Sequence, residues 1–192
     1  MLVGGGGSGN NSMTEYVVLV DEQNQPTGTA DKAAVHTVDT PLHRGFSVFI
    51  FNSRGEVLLQ QRSHKKLTWP LAWSNSCCGH PALGESTPAA ARRRMKEELG
   101  LENVDLHEIL PNFRYRAEKD GILENEFCPV MVGFTDALVH PNPNEVESIE
   151  WVAFDSFLRR VNAHPESLSP WCVEEAELLS KNEAFLALYA RT

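Results

Sequence analysis

The 192-residue sequence has no apolar run approaching the ~18 residues that a membrane-spanning helix requires, so no bilayer-crossing segment is expected. Cysteine is sparse: Cys77 and Cys78 are adjacent, while Cys128 and Cys172 stand alone. No disulfide-framework spacing appears, which excludes a stapled secreted scaffold, and all four read as reduced thiols. Positive charge is also short. Lys and Arg number 17 against 26 Asp and Glu, a formal net charge of −9. A general nucleic-acid binder would show a basic footprint instead. An anionic ligand of this chain must therefore meet a local basic cluster or metal ions.

The opening MLVGGGGSGNNS lacks the basic start and apolar stretch of a signal peptide. Residues 1–12 read as a disordered lead or appended tail, and residues 13–192 as a single domain. Without a signal the chain is expected in the cytoplasm. Short strands are predicted in EYVVLV, in FSVFIF and EVLLQQR flanking a turn at Asn52–Gly55, in NFRYRAE, in ENEFCPVMVGF and in SIEWVAF. A helix is predicted after Thr87 as N-cap, with Pro88 in its first turn and Gly100 closing it. Asp155 opens another helix, and Ser169-Pro170 starts a final one running through WCVEEAELLSKNEAFLALYA. The economical fold class is α/β, a sandwich of helices against a mixed β-sheet.

The region after Gly79 carries a spaced set: Gly79, Glu85, Arg93, Met95, Glu97, Glu98, Gly100 and Leu101. This resembles the Nudix signature, a loop–helix–loop that holds divalent cations against a diphosphate. Arg94 stands where that signature normally has a glutamate. Positions 94, 97 and 98 share one helical face. An arginine in that row pairs with Glu98 or reaches for phosphate, so the fold signal stays while the hydrolase signal weakens. An exposed charged helix with pairs Arg93–Glu97 and Arg94–Glu98 accounts for the same residues without any ligand.

Glu124 and Glu126 sit at strand spacing and so face one side. Two carboxylates held that close repel each other unless a cation or proton lies between them. With His36, His43 and His80 they form a mixed nitrogen and oxygen donor set suited to Zn, Mn or Fe(II), and less comfortably to Mg. Each piece alone is common on protein surfaces; Cys78-Gly79-His80 beside them is what marks a site. His64, His107, His140 and His164 have no such context.

NSCCGHP, FRYRAE, GILENEFCPV, HTVDTPLHRGFS and LSPW, in order over roughly residues 16–175, are similar to the type 1 isopentenyl-diphosphate isomerases, a branch of the Nudix superfamily with an α/β/α sandwich fold. The resemblance implies reversible conversion of isopentenyl to dimethylallyl diphosphate through a tertiary carbocation. It implies that His36, His43, His80, Glu124 and Glu126 bind one metal (Mn, Zn or Mg), and that Glu98 helps hold a Mg²⁺ brought by the diphosphate. Cys78 and Glu126 would be the acid/base pair, in either order, with Tyr115 hydrogen-bonding the glutamate and Trp171 sheltering the cation. Lys32, Arg62, Lys66 and Arg94 would contact the diphosphate, while Lys65 reads as a solvated surface charge. Trp69, Trp73 and Trp151 read as packing residues.

Adjacent residues of an extended segment face opposite sides, so Cys77 is expected to point away from the site. The expected partner is a small diphosphate, with no nucleic acid or membrane and a monomer favoured. Two rivals stay open at this point: a Nudix pyrophosphohydrolase, and a non-enzymatic module with a structural metal.

Overall fold

Residues 15–192 are described by a computed structural model; the lead assigned to residues 1–12 lies outside them. The chain runs through β1 (Tyr16–Val20), β2 (Pro26–Asp31), α1 (Lys32–Val35), β3 (His43–Arg44), β4 (Phe46–Phe51) and β5 (Glu56–Arg62). It continues with β6 (Trp73–Ser74), β7 (Cys77–Gly79), α2 (Thr87–Leu99), β8 (Leu106–Leu110), β9 (Arg114–Lys119) and β10 (Ile122–Phe127). Last come β11 (Val130–Phe134), β12 (Val146–Ala153), α3 (Phe154–Ala163), α4 (Pro170–Leu179) and α5 (Glu183–Tyr189).

Strand β4, FSVFIF, is buried along its whole length, and its alternation explains the layering. Phe46, Val48 and Ile50 face α2, where they meet Ala90, Ala91, Met95 and Leu99. Phe49 and Phe51 face the other way, toward Phe157 of α3, Trp171 of α4 and Phe185 of α5. A strand covered on both faces reads as a continuous apolar run. Each fully buried Phe or Leu contributes roughly 1.5–3 kcal/mol, so these two cores hold the helices to the sheet.

That sheet has the path β12-β5-β4-β11-β8, with β7 paired to β4 and β6 to β5. The expected α/β/α sandwich is built around it. A second sheet, β2-β1-β3-β10-β9, stands beside it, so the architecture has two sheets where the sequence suggested one. Both are mixed: β4 and β11 pair in parallel, as do β3 and β10, while the other pairings are antiparallel.

Helix α2 starts one residue earlier than expected, with Ser86 rather than Thr87 as N-cap. Gly100 ends it at φ 67°, giving its N–H to Lys96, while Leu101 N–H reaches back to Met95. This is the left-handed closure that favours glycine. A Cβ at Gly100 would also stand 3.0 Å from His140 Cβ. Beyond Ser169-Pro170 the expected single helix is two. The chain breaks at Ser180–Asn182, where Asn182 Oδ1 accepts from Phe185 N–H at 3.0 Å and starts α5. The break lets Leu179 and Phe185 enter the same core and lets Tyr189 donate its hydroxyl to Gly55 O at 2.8 Å. Among the described residues no helix is long and apolar enough to cross a membrane.

Replacing Asn182 by Ala removes the cap of α5. Stability is expected to fall by about 1 kcal/mol, read in a thermal melt as a Tm lower by roughly 2–4 °C. Asn182→Asp is expected to restore it.

Candidate active site

Strand β10 lies between β3 and β9, pairing Glu126 with His43 on one side and with Tyr115 on the other. Glu124, two residues back, shares the face of Glu126. His36 follows α1 as its C-terminal cap, and His80 follows β7. Elements of both sheets thus bring the three imidazoles together, with ring centroids 5.2 to 5.9 Å apart. One donor atom from each of His36, His43, His80 and Glu126 lies within 4.8 Å of the others. Glu124 joins through His36, their Oε2 and Nε2 being 3.1 Å apart. Glu126 Oε1 is 3.0 Å from His80 Nε2 and 3.6 Å from His43 Nε2.

Several buried atoms of this cluster lack a hydrogen-bond partner: Nε2 of His36 and His43, Nδ1 of His80 and Oε2 of Glu124. Buried polar atoms are ordinarily satisfied, and a divalent cation would satisfy a donor set of this kind. His43 Nδ1 faces Pro41 O at 2.9 Å, a contact that leaves Nε2 toward the cluster. The residues fit a metal. Burial opposes the charge on Glu126, yet the imidazoles of His80 and His43 hold its carboxyl well below the usual range. Burial pulls His80 down, whereas for His43 burial is outweighed by Glu126 and the value rises. Gly45 has a packing reason: a Cβ there would collide with the Glu126 carboxylate.

A cavity of about 550 Å³ opens beside the cluster. Cys78, Glu126, Tyr115 and Trp171 line it together, with His36, His80 and Glu124. Cys78 Sγ sits 3.1 Å from Asn75 Oδ1 and 3.5 Å from Ser47 Oγ, and burial pushes its thiol up to about 12. Cys77 faces the α2 core, with no exposed surface, as the strand alternation requires. Trp171 is held by its indole N–H, which donates to Asn75 Oδ1 at 3.2 Å, and by the rings of Trp69 and Tyr115 at 5.5 and 5.4 Å. Tyr115 stands opposite Glu126 in register, but no direct hydrogen bond joins them in this structure.

Lys32, Arg62, Lys66 and Arg94 also line the cavity, and each is already engaged. Lys32 pairs with Glu15 at 2.6 Å, and Lys66 with Glu145. Arg94 bonds Glu97 at 2.9 Å and Glu145 at 3.1 Å, and also Glu98. Burial opposes its charge, but Glu98 and Glu145 outweigh that and raise its pKa. Arg62 bonds Thr68 O at 2.9 Å and lies over the Trp171 ring at 5.4 Å. Glu98 is not on the cavity surface: it is buried behind Arg94, with Gln60 Nε2 at 3.3 Å. Lys65 is exposed, as expected, at the rim of the cavity, and bonds Asn144 Oδ1 at 2.6 Å. Sequence reasoning also gave no role to Glu15 and Glu145, which lie outside the motifs, or to Ser47 and Asn75, which lie at the ends of two of them.

The lower half of the signature is structural here. Arg93 clasps Glu85 at 2.8 Å, tying the loop after Gly79 onto α2. The comparisons agree with that geometry. Residues 41–172 match the model of the NUDIX domain. The chain is 50% identical over 167 residues to an isopentenyl-diphosphate Delta-isomerase of Saccharopolyspora erythraea, covering 86% of each. It is 46% identical over 178 residues to one of Klebsiella pneumoniae, covering 92% of this chain and 97% of the relative.

This chain belongs to the isopentenyl-diphosphate isomerase branch of the Nudix family.

The Nudix fold is supported separately by solved structures. A Deinococcus radiodurans protein matches with TM-score 0.69 and 24% identity, covering 85% of this chain and 98% of its own. A MutT protein of Methanosarcina mazei Go1 matches with TM-score 0.59 and 22% identity, covering 74% and 97%.

Calorimetric titration with Zn²⁺ or Mn²⁺ is expected to give one site per chain. His43→Ala combined with Glu126→Gln should weaken it by more than the ~10- to 100-fold typical of losing an outer partner. Glu98→Gln should leave that site intact.

Proposed function

We propose that the protein is an isomerase that interconverts isopentenyl diphosphate and dimethylallyl diphosphate. The observation that carries this is one cavity lined at once by a thiol, a carboxylate, an indole and a basic rim. Isopentenyl-diphosphate Delta-isomerases at 45–50% identity over most of the chain support the same reaction.

The alkene is unactivated, so a proton must be placed on one end of the double bond while another is taken from a different carbon. Cys78 and Glu126 are the assigned pair. Burial favours the thiol form of Cys78, and although burial also opposes charge on Glu126, the imidazoles of His80 and His43 favour its carboxylate form. The group that donates in one direction accepts in the reverse direction, so either order serves a reversible isomerase. Tyr115, on the facing strand, is assigned to orient the carboxylate through a hydrogen bond that this structure has not formed. The Trp171 ring stabilises the tertiary cation by roughly 2 kcal/mol or more where water is absent, and offers no nucleophile.

His36, His43, His80, Glu124 and Glu126 are assigned as ligands of one divalent cation: Mn²⁺, Zn²⁺ or Mg²⁺. When bound, it supplies fixed positive charge that orients the Glu126 carboxylate and strengthens its acid form. Lys32, Arg62, Lys66 and Arg94 receive the diphosphate, which takes the place of the carboxylates that now neutralise three of them. For Glu98 to meet a Mg²⁺ carried by the substrate, Arg94 must turn from Glu98 to the phosphate oxygens. The protein is assigned to the cytoplasm as a monomer.

With isopentenyl diphosphate in deuterated water, dimethylallyl diphosphate is expected to gain deuterium without release of phosphate. Phosphate release with no exchange would favour a pyrophosphohydrolase instead. Cys78→Ala is expected to lower turnover by about 10²–10⁴-fold, whereas Cys77→Ala stays near the parent rate.

A further inference from the structure

One extended segment sends a row of side chains into the cavity. Residues two apart on a strand point to the same side, roughly 6.5 Å from one to the next. Glu124 and Glu126 do so on β10, and both line the cavity. The ladder with β9 continues past the end of β10: Cys128 N–H donates to Phe113 O at 2.9 Å, in register with the pairing of Glu126 and Tyr115. Cys128 is therefore the next side chain on that face, and it too lines the cavity.

The row has a direction. Glu124 lies 3.1 Å from His36, which caps the short helix whose first residue, Lys32, belongs to the basic rim. Glu126, assigned to the proton transfer, comes next. Cys128 ends the row on the core side. It is 1% exposed and packs in the cluster that holds Tyr115 and Trp171, with its Sγ 3.6 Å from Oγ of the fully buried Ser47. Backbone bonds fix its place from the other edge as well: Gly45 N–H donates to Phe127 O at 2.9 Å and Ser47 N–H to Pro129 O at 3.1 Å. Cys128 cannot shift without breaking strand pairing on both sides. Burial pushes its thiol well above the usual range, so it faces the chamber uncharged.

We propose that Cys128 is a specificity-determining residue: its side chain is the floor of the hydrocarbon chamber and sets how much carbon fits beyond the double bond. This rests on the isomerase reading and adds to it. With the diphosphate at the rim and the reacting carbons level with Glu126, the branched end of a five-carbon chain points down the row toward Cys128. The thiol's part is steric; it gives and takes no proton. A substrate with one more methylene on the branch must overlap the sulfur or lift its reacting carbons away from Glu126. One methylene in an apolar pocket is worth about 10- to 200-fold in discrimination. Alanine at this position removes the sulfur and leaves about the room that methylene needs, whereas methionine raises the floor.

Steady-state kinetics are measured with isopentenyl diphosphate and with its homologue bearing ethyl in place of the methyl group. The parent, Cys128→Ala and Cys128→Met are compared, with thermal melts and the affinity for inorganic pyrophosphate alongside. The parent is expected to prefer the five-carbon substrate by about 10-fold or more in kcat/KM, and Cys128→Ala to shrink that preference by about 10-fold or more. Cys128→Met should lose kcat/KM for isopentenyl diphosphate by a similar factor. Pyrophosphate affinity should be unchanged in both variants, because the rim is untouched. An equal preference in the parent and Cys128→Ala overturns the proposal, as does a parent that takes both substrates alike, or pyrophosphate affinity that falls with the alanine substitution. Should Cys128→Met melt well below the parent, the Cys128→Ala ratio decides, since a ratio of two substrates on one protein does not depend on how much of it is folded. A parent that isomerises neither substrate overturns the isomerase reading itself, and the proposal with it.

Discussion

Strand β10 runs between β3 and β9, and its register holds Glu126 between His43 and Tyr115. Side chains on a strand alternate, so a slip of one residue would turn both Glu124 and Glu126 out of the cluster. Parallel pairing with β3 is only two residues long, and pairing with β9 covers the whole strand. The longer antiparallel ladder therefore sets the register, and the short parallel one places the imidazole. Gly45 lets the backbone after β3 pass close beneath the Glu126 carboxylate. The carboxylate, the histidines and the cavity wall are all consequences of that one alignment.

An acidic chain that takes an anionic substrate has to solve a charge problem, and the rim shows how. Lys32, Lys66 and Arg94 are each held by carboxylates from Glu15, Glu145 and Glu98. Pairing keeps these cations aimed into the cavity; the exposed Lys32–Glu15 pair contributes little to stability, and desolvation offsets much of the attraction in the buried Arg94–Glu98 pair. Arg62 is different: its guanidinium bonds loop carbonyls and lies over the Trp171 face, which ties the basic rim to the ring beneath it.

Much of this was legible before any coordinates. FSVFIF reads as a strand, the Cys77 and Cys78 faces follow from period two, and the histidines and glutamates stand out as a donor set. The break between α4 and α5 was not legible. LLSKNEAF contains good helix formers throughout, and only the tertiary demand to bury both Leu179 and Phe185 makes Asn182 a cap. The second sheet escaped because β3 is two residues long and β2, PTGTAD, opens on proline and has no apolar alternation. Glu15 and Glu145 lie outside the strands and helices, and nothing beside them in sequence signals the lysines they hold in space.

The tie from Tyr189 to Gly55 has a mechanical side. Helix α5 is a latch: its far end grips the turn between β4 and β5, and its start abuts the helix that carries Trp171 and Glu175. Fraying of the last turn would release that grip, so the β4–β5 turn is secured by a residue some sixty positions downstream of the strand that carries Glu124 and Glu126.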